Sequence, residues 1–218
     1  MSVVGRRQLI LGGASLLALA ACSGGASGSS SSAPSPDDMA IGAANAPVTL
    51  IEYASVTCPH CKEWHDTVWA QFKTHYVDTG RVRFVMREMA TPAGAAAVAV
   101  AGFQIARCGG AAPEQYMARV DELFRQQEAI FATGTMAGVR AKLMEIGVST
   151  GLTEAQVDQC IADEGGGQRI QRIADQADRD FQITGTPTFI LNGHKIDDPG
   201  VLTYEGLSRL LDQALAGH

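Results

Sequence analysis

The sequence predicts an α/β domain whose sheet is interrupted by a long helical stretch. Three features carry that prediction. An apolar, β-branched run at 47–55, PVTLIEYAS, leads straight into an amphipathic helical pattern that opens on TCPHC. The middle of the chain, 91–166, has helical spacing. Near the C-terminus two short apolar runs flank Asn192-Gly193, the strongest short hairpin signal, ahead of a last amphipathic stretch.

The chain opens on MSVVGRRQLILGGASLLALAACSGG. A short n-region holds Arg6 and Arg7, and the apolar run from Leu9 to Ala21 is too short to span a bilayer comfortably. That order reads as a secretory signal peptide over 1–21, with an uncleaved anchor as the alternative. Leu19-Ala20-Ala21-Cys22 resembles the lipobox of bacterial lipoproteins, which implies lipidation at Cys22; cleavage before an ordinary small residue is the other reading. Arg6-Arg7 with Gln8-Leu9-Ile10 also resembles a twin-arginine export signal. Residues 22–40 are rich in Ser and Gly, with Pro34 and Pro36, and read as a flexible tether.

Hydrophobic residues make up 46% of the chain, ordinary for a globular protein, and about 180 residues remain after the tether, enough for one domain with a proper core. Loss of Arg6 and Arg7 with the leader moves the formal charge from −6 to −8. An acidic mature chain argues against nucleic acid as a main partner.

The first strand is placed at 47–55. Thr57 near the N-cap and Pro59 in the first turn start a helix that Gly80 ends, with Trp64, Val68, Trp69, Phe72 and Tyr76 on its buried face. VRFVMREM at 82–89 is a second strand. Helices are then expected from Thr91-Pro92 to Arg107, from Pro113 through Gln127, over 135–146, and from the capping-box pattern Thr153 to Gln156. Ile170, Ile173, Ala174, Ala177 and Phe181 mark a longer helix. Pro187 stands where the first hairpin strand begins, and the last helix runs from about Thr203 to Ala216. The parts are therefore a sheet domain over 41–90, a helical insertion over 91–166 and the sheet domain's return over 167–218.

Five cysteines are present, and four remain if Cys22 carries lipid. Cys58 and Cys61 could bind metal, staple the chain or form a redox pair. Structural zinc needs four ligands; His65 could be a third and no fourth stands out, so no metal is expected. A disulfide across two residues constrains little chain and makes a poor staple. A redox pair is the leading reading. Cys108 and Cys160 are either two buried free thiols or a structural disulfide, the latter favoured by an oxidising compartment and an even count.

The order strand, Cys-x-x-Cys helix, strand, helical stretch, Gly-Thr-Pro, hairpin and final helix resembles the DsbA-like thiol:disulfide oxidoreductases, over about 41–216. The resemblance implies a thioredoxin-like fold with an inserted helical domain. It implies catalysis at Cys58 and Cys61, with Pro59 and His60 matching the oxidase members. It also implies a cis Pro187 beside the cysteines and a buried acid at Glu52. Thr186 resembles the residue of isomerase-type members and some oxidases, so both directions of exchange stay open.

Exchange runs through a thiolate, so the reactive sulfur needs a lowered pKa. At a helix N-terminus Cys58 would meet unpaired N–H groups and the positive dipole end, and His60 could add a hydrogen bond or charge, with a plainly solvated histidine as the other reading. Cys61 is expected to be the less exposed resolving partner, and Glu52 either a proton shuttle for it or a residue satisfied by local hydrogen bonds. Pro187 would leave a backbone edge free for a substrate strand. His65, His75, His194 and His218 fit no such scheme and read as surface or locally bonded. The leading function is an exported, lipid-anchored monomer of the cell envelope or periplasm. It would need no cofactor, donate a disulfide to reduced exported proteins and be reoxidised by a membrane partner resembling DsbB. An isomerase or reductase using the same pair is the nearest rival, and a non-enzymatic lipoprotein that binds metal or an envelope partner is the rival from another class.

Overall fold

The computed structural model describes Met1, Ser35 and residues 37–217. The rest of the predicted leader, Cys22, most of the tether and His218 lie outside those residues.

Among the described residues the strands β1 (Met39–Ile41), β2 (Val48–Ala54), β3 (Val82–Glu88), β4 (Thr188–Leu191) and β5 (His194–Lys195) form a five-stranded sheet in the order β1-β3-β2-β4-β5. Its centre is a parallel pair, β2 (Val48–Ala54) with β3 (Val82–Glu88). The connection between them is the Cys-x-x-Cys helix. It starts as α1 (Pro59–Trp64) and runs on through a π-helical turn (His65–Trp69), α2 (Ala70–Phe72) and a second π-helical turn (Lys73–Val77). Parallel strands need such a crossover, because a tight turn can only join antiparallel ones. β4 (Thr188–Leu191) lies antiparallel on the other side of β2 and turns back into β5 (His194–Lys195). Asn192 and Gly193 make that turn with φ values of 47° and 85°, the left-handed pair a two-residue hairpin requires.

β2 alternates between two cores. Val48, Leu50 and Ala54 join a large cluster with Trp64, Trp69, Phe72 and Phe84 under the Cys-x-x-Cys helix and α9 (Tyr204–Ala216). Ile51 and Tyr53 face the other way, onto α8 (Glu164–Phe181), where Ala177 is buried with Ile173, Ala174 and Phe181 packed around it. Glu52 shares the face of Leu50 and Ala54, since side chains two apart on a strand point the same way.

Between β3 and β4 the chain makes α3 (Ala96–Arg107), α4 (Pro113–Arg125), α5 (Gln127–Ala132), α6 (Met136–Ser149) and α7 (Glu154–Ile161). The capping box read at Thr153 and Gln156 is formed at the start of α7. The fold is the expected thioredoxin-like sheet with a helical insertion, with differences from the sequence reading at several element boundaries. The helix read through Gln127 breaks at Gln126, whose φ and ψ of −93° and 1° leave the helical region, and α5 sets off anew. The helix carrying the Ile170 stripe begins earlier than the boundary at 167, because the Asp163 carboxylate caps it by accepting from Gly165 N–H. The stretch read as tether is structured at its end: β1 (Met39–Ile41) pairs with β3, and Asp38 forms an ion pair with Arg87 at 2.9 Å. Three residues are too few to show a strand period, which is why composition alone assigns them to the linker.

Candidate active site

Cys58 is the N-cap of α1, with extended φ and ψ of −86° and 121°, and Pro59 takes the first helical position. Proline fits there because its missing N–H would have had no helical partner. The turn from β2 into the helix is clamped from the insertion. Gln127 Nε2 donates to the carbonyls of Val56 at 2.9 Å and Cys58 at 3.2 Å. Thr57 Oγ1 donates to the Thr91 carbonyl at 2.8 Å. Gln127 and Thr91 escape a reading of the sequence, since nothing in their local pattern ties them to residues far away in the chain.

Cys58 and Cys61 are free thiols here, and both are buried, Cys61 completely. Their protonation is opposed. A hydrogen bond from the Cys61 thiol lowers Cys58 most. Burial works against it, and the Thr186 hydroxyl and the backbone N–H groups of Cys61 and His60 add to the lowering, leaving Cys58 at about 5. Burial pushes Cys61 well up, and the hydrogen bond to Cys58 and the charge of Glu52 push it further. One sulfur is thus a ready thiolate at neutral pH and the other a thiol.

The Thr186–Pro187 peptide is cis and brings the Thr186 carbonyl within 3.2 Å of Cys58 Sγ. Thr186 Oγ1 is 2.8 Å from Thr91 Oγ1, so the loop before β4 is tied to the loop after β3 beside the sulfur. Thr91–Pro92 is also cis, which no local pattern in the sequence signals.

Two histidines sit differently from the sequence reading. The His60 imidazole, expected to act on Cys58, is 79% exposed and faces Glu63, Nδ1 to Oε2 3.7 Å; the part of His60 that acts on the sulfur is its backbone N–H. The unpaired N–H groups of the first helical turn lie at the cap, which is where His60 contributes its backbone. His65, expected at the surface or locally bonded, is buried. Its Nε2 lies 3.0 Å from Oε2 of Glu52, which is fully buried on β2. Its Nδ1 lies 3.4 Å from Oδ1 of Asp121 on α4, and its ring stacks on Phe124 at 4.3 Å. Burial alone would lower His65, but the charge of Glu52 and the Asp121 carboxylate outweigh it and hold it at about 9. His75 and His194 are exposed.

Cys108, at the end of α3, is joined to Cys160 of α7 by a disulfide with Cα atoms 5.8 Å apart. It bridges helices of the insertion, and neither cysteine is among the groups that act on Cys58 or Cys61.

A strand that delivers one cysteine to a helix N-cap, a second cysteine a turn deeper and a cis-proline loop closing over the first define a thioredoxin-fold thiol site. The chain belongs to the thioredoxin family, whose model matches residues 34–213. It is similar to a Rickettsia bellii protein provisionally named protein-disulfide oxidoreductase, with 25% identity over 179 residues, 82% of this chain and 65% of that one. The chain therefore spans just under two thirds of that relative's length. Among solved structures it resembles Wolbachia pipientis alpha-DsbA1, with a TM-score of 0.73 at 22% identity, over 84% of this chain and 94% of that one. It also resembles oxidised BdbD from Bacillus subtilis, with a TM-score of 0.68 at 20% identity, over 83% and 94%. Both likenesses concern the fold, helical insertion included.

Proposed function

We propose that this chain is a protein thiol–disulfide oxidoreductase that donates the Cys58–Cys61 disulfide to reduced exported proteins. The observation that carries the reading is the opposed protonation of the two sulfurs: a thiolate at the N-cap and a buried thiol one turn in. In the oxidised protein a substrate thiolate attacks Cys58 Sγ. The Cys58–Cys61 bond breaks, Cys61 leaves with the electron pair and takes a proton, and a mixed disulfide forms at Cys58. A second substrate thiolate attacks the substrate sulfur of that bond, and Cys58 leaves as a thiolate. Two substrate thiols have become a disulfide and the enzyme pair has gained two electrons. Stabilising the reduced form in this way makes the pair an oxidant, the same effect that gives DsbA its oxidising strength.

Supporting this use, the loop at Thr186–Pro187 stands beside Cys58 and offers backbone to an extended substrate segment. The relative's name favours the same chemistry. A membrane partner that removes electrons from the reduced pair completes the cycle. The leader at 1–21 and the cysteine at its end support export and a lipid anchor at Cys22. Membrane-phase partitioning that survives Cys22→Ala would remove the anchor from this reading. The central experiment is the equilibrium of the Cys58–Cys61 pair with glutathione, run beside oxidation of a reduced, unfolded secreted protein. A pair as reducing as a thioredoxin, with no oxidation of the substrate, would turn the reading to a reductase. Zinc analysis with thiol titration distinguishes either enzyme from a metal-binding protein.

A further inference from the structure

Cys61 poses a problem that the exchange scheme leaves open. It is wholly buried, yet it must gain a proton each time the disulfide is reduced and lose one each time it reforms. Glu52 lies near enough for its charge to act on Cys61, and its Oε1 makes no hydrogen bond among the described residues. Glu52 is itself fully buried, so a proton on its carboxyl has no direct way to water.

We propose that His65 and Asp121 are positioning residues that carry protons between Glu52, beneath Cys61, and solvent. The imidazole reaches both ends. Nε2 is 3.0 Å from Glu52 Oε2, and Nδ1 is 3.4 Å from Asp121 Oδ1. Neither Nδ1 nor Oδ1 has a hydrogen bond elsewhere among the described residues. Asp121 is 41% exposed in its side chain, so the line ends in water. Its orientation is set, because Trp69 Nε1 donates to Oδ2 at 3.1 Å and turns Oδ1 toward the histidine. The ring is held in place by its stack on Phe124 and its contacts with Trp64 and Trp69. The ionisable groups facing His65 are Glu52 from β2 and Asp121 from α4; its other ring neighbours are uncharged aromatics.

The steps balance. As Cys61 leaves, the imidazolium gives its Nε2 proton to Glu52 and Glu52 passes a proton to the Cys61 thiolate. The neutral imidazole, left with its proton on Nδ1, tautomerises to the Nε2–H form, and Nδ1 then takes a proton by way of Asp121 from water. Reoxidation runs the same line backward.

This inference rests on the exchange chemistry proposed above, but its test does not depend on protein substrates. Oxidised full-length protein is mixed with excess dithiothreitol, and reduction of the pair is followed by tryptophan fluorescence across pH. Each rate is divided by the reagent's thiolate fraction, which isolates the departure of Cys61. The wild type should hold a level rate through the neutral range and lose it as His65 gives up its proton near pH 9. In Asp121→Asn and His65→Gln the rate should fall already through the neutral range. The loss should reach about tenfold or more at its upper end, on the scale of general acid–base assistance. A loss equal at every pH, or no loss, in both variants overturns the relay and leaves a structural ion pair. If His65→Gln does not fold, Asp121→Asn decides alone, since its half-exposed carboxylate is not needed for the core. Failure of the oxidase reading would show instead in the glutathione equilibrium of the wild type.

Discussion

Replacing His60 with alanine should leave most of the Cys58 thiolate in place, and the structure gives the scale. Cys58 stands at about 5 against an ordinary 9.0. At pH 7 an acid lowered that far is ionised about a hundredfold over, which stabilises the reduced form by up to ~2.7 kcal/mol. For a two-electron couple that is up to ~60 mV of oxidising strength. The sign follows from the direction of the shift. A lowered pKa favours the reduced state at neutral and higher pH, and the benefit disappears as pH falls through about 5. The potential should therefore drop by about 59 mV per pH unit below that point and about 30 mV above it, where one proton rather than two accompanies two electrons. Redox equilibria with glutathione over pH locate the break. In His60→Ala the break should stay close to its wild-type position, because the imidazole faces Glu63 and only the retained backbone N–H touches the sulfur's balance. Thiolate absorbance of Cys61→Ala should show a larger rise in the Cys58 pKa, because that change removes the hydrogen bond that lowers it most. A break in His60→Ala displaced to the ordinary thiol range would refute the argument and return the imidazole to the sulfur.

Three further outcomes are expected. Cys61→Ala should accumulate mixed disulfides with substrates through Cys58, seen as adducts on non-reducing gels that a reductant removes; their absence would contradict the assigned order of attack. The double change Cys108→Ala with Cys160→Ala opens a loop of 52 residues, and denaturant unfolding should show a loss of about 4 kcal/mol, with the pH break of the redox pair unmoved. His65 has a raised pKa, so its charged form stabilises the fold in full below about 6.5 and ceases to do so as pH rises through about 9. Urea midpoints should fall across that window in the wild type, and His65→Gln should lack this fall.

How much of the site is legible in residues alone is shown best by the helix after Cys58. Its strand, proline and buried stripe are legible because each is local: β-branched spacing, a fixed φ at the first turn, and Trp64, Val68, Trp69, Phe72 and Tyr76 on one face. Gln127 and Asp121 are not legible. Their partners in the site lie on other elements, and no spacing rule connects residues so far apart in sequence. His65 is the instructive case, since its signal is present. It occupies the same face as the stripe, four residues before Trp69, seven before Phe72 and eleven before Tyr76. A stripe read for apolar residues alone passes over it. The acid on the facing strand supplies the missing reason. A carboxylate buried in a central strand needs a counter-charge or hydrogen-bond donors nearby, because leaving it alone costs several kcal/mol. The inward positions of the neighbouring helix are Cys61, Trp64, His65, Val68, Trp69, Phe72, Tyr76 and Val77, and the one basic residue among them is His65. Once Glu52 is placed in β2 beneath that helix, its partner can be named before any coordinate is known; that Asp121 completes the line is information only the tertiary fold holds.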